Sequence, residues 1–169
     1  MNKRGVFVDC ARIGRAVRLG RVAATLLVML AGCRSQGVPM NSAQLKDFAA
    51  RYTAAWCSQD SARVASFFEK GGSLKINAGD PAVGRAAIAA AAQGFMSAFP
   101  DLVVVMDGTS VDEGHAFYHW TLTGTNTGPG GTGKAVRISG HEEWTISPDG
   151  LIAESKGHFD EAEYQRQLK

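Results

Sequence analysis

Cysteine and histidine are scarce in this chain of 169 residues, which has three of the first and four of the second. Three cysteines cannot build a disulfide scaffold. Four scattered histidines, with no ligand spacing among them and only a His141-Glu-Glu where a zinc protease needs HExxH, argue against a metal site. No apolar run reaches the roughly 20 residues of a transmembrane helix, which excludes a polytopic helical membrane protein. There is no internal repeat, and no low-complexity segment beyond a run of alanines. What remains is an ordinary globular balance of 45% hydrophobic and 20% charged residues, enough for one domain.

The formal charge of +2 conceals two unlike parts. Residues 1–32 hold six Lys/Arg and one acid, Asp9. The remaining 137 residues hold 12 basic groups (18 less six) and 15 acidic ones (16 less one), a net of −3. A mildly acidic domain is a poor partner for nucleic acid, where affinity rests on neutralising phosphates. The basic stretch ends at Arg21, and the nine residues Val22–Leu30 are apolar or small. That length suits the h-region of an export signal and is too short to span a bilayer. The run closes with Leu30-Ala31-Gly32-Cys33, which resembles a bacterial lipobox. The resemblance implies cleavage before Cys33, acylation of its thiol and a lipid anchor at the cell envelope. Arg34 in place of Asp implies the outer membrane where the cell has one. Cys10 then leaves with the signal and Cys57 stands alone, read as a small core hydrophobe. The expected organisation is a signal over 1–32, a tether over 33–42 and a domain over 43–169.

The domain reads as helices first and a sheet afterwards, hence α+β. Asn41 and Gln44 have capping-box spacing, and Leu45, Phe48, Tyr52 and Trp56 follow on one face of a helix. Asp60 caps a second short helix, with Gly71-Gly72 expected to end it and Leu74–Ile76 to form a brief strand. Gly84–Phe99 is an Ala-rich helix stopped by Pro100. After Pro100 the period becomes two. Strands are expected at 102–107, 115–125, 136–146 and 151–160, with turns over 108–114, 124–133 and 147–150 and a helical turn over 161–168. Gly128-x4-Gly133-Lys134 fits most of a phosphate-binding loop. It lacks the next Ser/Thr, since Ala135 is there, and it joins strands where a phosphate cradle opens a helix.

Several short motifs follow one another along the chain: Trp56-Cys-Ser-Gln-Asp60, Val83-Gly84-Arg85, Phe99-Pro-Asp-Leu102, Thr123-Gly-Thr-Asn-Thr-Gly128, Asp149-Gly-Leu-Ile152 and a closing Phe159-Asp160. Together they resemble the SnoaL-like polyketide cyclase branch of the NTF2-like superfamily over nearly all of residues 43–168. The resemblance implies a cone, three helices closing over a strongly curved, mostly antiparallel sheet. It also implies an internal pocket and often a homodimer across the sheet. In cyclases of this family an Asp at the end of the last strand is the general acid/base, with no metal and no cofactor, and Asp160 matches it. Strict alternation sets Asp160 with Glu154, Lys156 and His158 on a solvated face, and a bulge at Gly157 would turn it inward. His119 matches a position where cyclases often carry a basic residue. Asn126 stands where relatives often have His.

Glu142 comes from pattern alone. It shares parity with Val136, Ile138, Trp144 and Ile146, so it lies on an apolar face, either lining a pocket or where the strand meets solvent. Asp160 or Glu142 would move a proton, and His119 or His158 would polarise a carbonyl. Tyr52, Trp56, Phe68, Phe95, Phe99, Tyr118, Trp120 and Trp144 would line a pocket for a flat, small hydrophobic molecule. Two functions follow from this reading. One is acid/base cyclisation, isomerisation or enolisation. The other is a binding or interaction lipoprotein that leaves its ligand unchanged. Function does not follow from the scaffold itself.

Overall fold

The computed structural model describes residues 40–169. The signal segment, Cys33 and most of the tether lie outside them. Asn41 caps α1 (Ser42–Cys57) with the expected reciprocal box: its side chain accepts from Ala43 and Gln44, and the Gln44 side chain accepts from the Asn41 amide. Asp60 caps α2 (Ser61–Ser66) by accepting from the Ala62 and Arg63 amides. The short helix stops at Phe67, earlier than the glycines suggest. Gly71 and Gly72 instead lie inside β1 (Phe68–Ile76), where the register against its neighbour shifts between Phe68 and Ser73. A Cβ on Gly72 would sit 2.8 Å from the Ile152 carbonyl oxygen, so the close strand approach requires glycine.

The two-residue β2 (Ala82–Val83) leads into α3 (Arg85–Ala98). Four antiparallel-linked strands follow: β3 (Val103–Asp112), β4 (His115–Thr125), β5 (Ala135–Ile146) and β6 (Ile152–Phe159), before a terminal α4 (Glu161–Gln167). The strand β3 runs five residues beyond its expected end at Asp107, through Gly108 to Asp112. The chain takes up the glycine as a register shift between Met106 and Gly108, and the hairpin itself is only Glu113-Gly114. Both residues have positive φ, 47° and 84°, as a tight two-residue hairpin requires.

The sheet is curved and mixed, in the order β2-β1-β6-β5-β4-β3, and β1 pairs with β6 in parallel. One face packs against α1 and α3. The core there includes Leu45, Phe48, Ile88, Met96 and Ile152 around an aromatic cluster. Tyr52 meets Tyr118, Trp144 and Phe67 edge-on, and Tyr118 stacks on Trp144 with ring centres 5.0 Å apart. Cys57 is exposed and not a core residue. Its thiol meets the Val104 backbone at 3.3 Å and ties the end of α1 to β3.

Two of the short motifs, Phe99-Pro-Asp-Leu102 and Thr123–Gly128, hold one another. Asp101 of Phe99-Pro-Asp-Leu102 accepts from the Thr125 amide and hydroxyl, both at 2.7 Å. Those bonds hold its carboxyl below the usual range. Gly124 leaves room for the Phe99 ring, which a Cβ would meet at 3.2 Å. Asn126 is buried and staples the following loop, accepting from the Thr132 amide at 2.8 Å and donating to the Ala98 carbonyl at 3.3 Å. Gly128 packs so closely on Ser97 that a Cβ there would overlap the Ser97 carbonyl. These glycines serve packing, as expected for a loop between strands.

Candidate active site

Glu142 lies on β5 with Gly140 and Trp144, on the face that meets the helices. Register sets it beside Tyr118 on β4 and Gly157 on β6. Its carboxyl is buried and hydrogen-bonded from three elements. Ser155 Oγ donates to Oε2 at 2.6 Å, Trp144 Nε1 donates to the same oxygen at 2.8 Å, and the Tyr52 hydroxyl reaches it at 3.2 Å. Oε1 has only the long 3.4 Å contact with Tyr52. One oxygen is therefore anchored and the other is nearly free. Burial pushes the Glu142 carboxyl above its ordinary range, and the three donors, Ser155 foremost, oppose that shift. Burial also raises the Tyr52 and Tyr118 hydroxyls, with the Glu142 charge adding to both, so the two phenols stay protonated.

A partly open cleft lies beside Glu142. Its polar lining is small. Trp56 and Phe95 come from the helices, Tyr118 and Trp120 from β4, and Phe159 and Gly157 from β6. A carboxyl held neutral by burial can donate a proton or hydrogen bond, and the same group ionised can remove one. Both acts require that its free oxygen face an apolar ligand.

The structure sorts the sequence candidates into four groups. Glu142, Trp56, Phe95, Tyr118 and Trp120 line the cleft, while Tyr52 and Trp144 hold the Glu142 carboxyl. Phe68 and Phe99 are fully buried core residues away from the lining, a correction to their placement in the pocket. Asp160, His119 and His158 do not reach the cleft either. The bulge that would turn Asp160 inward is not at Gly157. Register runs unbroken from Gly140–Phe159 to Thr145–Glu154, and shifts only beyond. Asp160 is exposed and caps α4, accepting from the Glu163 amide at 2.9 Å.

His119 and His158 flank His141 on the opposite sheet face, one on each neighbouring strand, with ring centres 5.9 and 5.1 Å from it. Partial burial and these two neighbours lower the His141 pKa. His115 lies on the same face, 3.3 Å from Glu143. Ser155 and Phe159 escaped sequence reasoning. Their shared parity with Gly157, opposite to Glu154, Lys156, His158 and Asp160, was the available signal, left open by the bulge that would have turned Asp160 inward.

A family model described as a SnoaL-like domain matches residues 49–155. No curated protein matches the chain. Among solved structures, a putative SnoaL-like polyketide cyclase from Jannaschia sp. CCS1 is similar with a TM-score of 0.65 and 17% identity, over 78% of this chain and 97% of that one. A protein with a ketosteroid isomerase-like fold from Catenulispora acidiphila, solved with trimethylamine, gives 0.64 and 13%, over 72% and 92%. The epoxide hydrolase/cyclase-like enzyme SalBIII, of pyran ring formation in polyether salinomycin, gives 0.62 and 17%, over 73% and 95%. Such identities establish a shared fold.

Proposed function

This chain belongs to the SnoaL-like domain family, and from that premise we propose that it is an acid/base catalyst acting on a small hydrophobic carbonyl compound. Enolisation is the elementary step, leading to isomerisation or ring closure. The observation that carries the reading is the Glu142 carboxyl, buried beside an apolar cleft with one oxygen anchored by three donors and the other nearly free. Oε1 removes the proton next to the carbonyl and returns it to the product. Oε2 stays fixed, so the free oxygen keeps its aim. The raised carboxyl range brings the base closer to working pH, where acid/base exchange is most effective. On the same reading the mature protein is exported and lipid-anchored through Cys33, meets its ligand at the membrane surface, and pairs with a second copy across the outer sheet face.

The test is exchange of the methyl protons of 2-acetylnaphthalene in heavy water, followed by NMR. The protein should accelerate exchange, and Glu142→Gln should cut the acceleration by about 10²- to 10⁴-fold. Binding of the ketone with no accelerated exchange would instead establish a carrier that leaves its ligand unchanged.

A further inference from the structure

Two buried side-chain nitrogens lack a hydrogen-bond partner among the described residues, His115 Nδ1 and Trp120 Nε1. The first has the Glu143 carboxylate 3.3 Å away. The second has no such neighbour. An indole N–H is a donor only, and leaving it desolvated without an acceptor is costly. Buried Trp side chains normally find a partner, and Trp144 does so at Glu142.

The fold makes a specific place for the Trp120 ring. Trp120 pairs with Gly140 across β4 and β5, and a Cβ on Gly140 would stand 2.7 Å from the ring at Cζ2 and 3.0 Å at Cη2. Its ring also meets Phe159 edge-on, at 6.3 Å between centres. The ring is therefore seated on β5 and lines the cleft. Tyr118 and Glu142 form the next inward pair along the same two strands. Two residues along a strand span about 7 Å. Glu142 and Trp120 thus line one stretch of the apolar cleft, with the unpartnered nitrogen on the Trp120 ring.

We propose that Trp120 Nε1–H is the specificity donor of the cleft, accepting ligands that present a carbonyl oxygen next to the carbon facing Glu142 and discriminating against their hydrocarbon counterparts. This rests on the reading of the cleft as a carbonyl-binding site. Apolar walls give affinity but no orientation, and a single donor at one end supplies it. An oxygen held there also has a hydrogen bond available as charge builds on it during proton removal, so the same contact assists enolisation.

The experiment compares binding of 2-acetylnaphthalene and 2-ethylnaphthalene by calorimetry. The wild-type protein should favour the ketone by about 3- to 10-fold, the range of one net hydrogen bond. Trp120→Phe keeps an aromatic ring and removes the N–H, so it should bring the ratio of ketone to hydrocarbon affinity to about 1, whatever the smaller ring does to both affinities alike. A second measurement needs no change to the binding protein. In ¹H–¹⁵N spectra the indole signal of Trp120, assigned by its loss in Trp120→Phe, should move downfield with the ketone and not with the hydrocarbon. Equal wild-type affinity for both probes, or a preference that survives Trp120→Phe, would overturn the Trp120 assignment while leaving the cleft as a binding site. Failure of both probes to bind would overturn that assignment and the carbonyl-binding reading beneath it. Ketone binding through Trp120 without proton exchange would uphold the donor and defeat the catalytic reading alone.

Discussion

At the residue scale the unequal surroundings of the two Glu142 oxygens decide what the carboxyl can do. Three donors converge on Oε2, and the shortest comes from Ser155 at 2.6 Å. Donors to a charged carboxylate stabilise it and lower its pKa. Ser155→Ala removes the largest opposing influence, so the pKa should rise further. Proton removal needs the ionised form, so the pH at which exchange of 2-acetylnaphthalene reaches half its maximum should move upward in Ser155→Ala. An unmoved midpoint would mean that another group limits the rate. Glu142 was legible because period two alone sets it among Val136, Ile138 and Trp144. Ser155 was not, because a serine on a strand carries no charge pattern to mark its face. Its importance arises from pairing with Trp144 across the sheet.

At the element scale, Asp160 illustrates how a motif match and local geometry part ways. Its side chain spends its acceptor on the N-terminus of α4, at the Glu163 amide. An N-cap Asp replaced by Ala costs about 1 kcal/mol, whereas Asn caps nearly as well. Asp160→Ala should therefore lower the chemical unfolding midpoint slightly, and Asp160→Asn should leave both stability and ketone exchange as they are. A large loss of exchange in Asp160→Asn would restore the cyclase-type role and count against Glu142. The elements themselves were mostly readable. Caps at Asn41 and Asp60 and alternation after Pro100 locate α1, α2 and the long strands. The failures lie at glycines. Gly71-Gly72 looked like a helix stop and Gly108 like a turn, yet both sit inside strands at register shifts. Glycine permits a turn and a close strand approach equally, and only the neighbouring strand, distant in sequence, decides between them.

At the scale of the whole molecule, the two sheet faces hold ionisable groups pushed in opposite directions. Sequence alternation separated the faces of β4 and β5 correctly but could not say which face the helices would cover, and so which of Glu142 and His119 would be enclosed. With α1 and α3 over the Glu142 side, the histidines fall on the other. Consequences for stability follow by linkage. Glu142 has a folded pKa above its ordinary 4.5, so its contribution is full below that value and is lost as pH rises through the folded pKa. His141 has a folded pKa below its ordinary 6.5, so its contribution is full above that value and is lost as pH falls through the folded pKa. The two act against each other, and difference curves against the wild-type protein separate them. With urea midpoints measured from pH 4 to pH 8, the gain of Glu142→Gln relative to wild type should grow as pH rises, because the variant no longer carries a buried acid that must ionise. The gain of His141→Gln should grow as pH falls below about 6.5, because the variant has no hindered imidazole between His119 and His158. A Glu142→Gln curve parallel to wild type across this range would mean that the carboxyl ionises as freely in the fold as in the unfolded chain, and the raised-pKa basis for its acid/base role would fall with it.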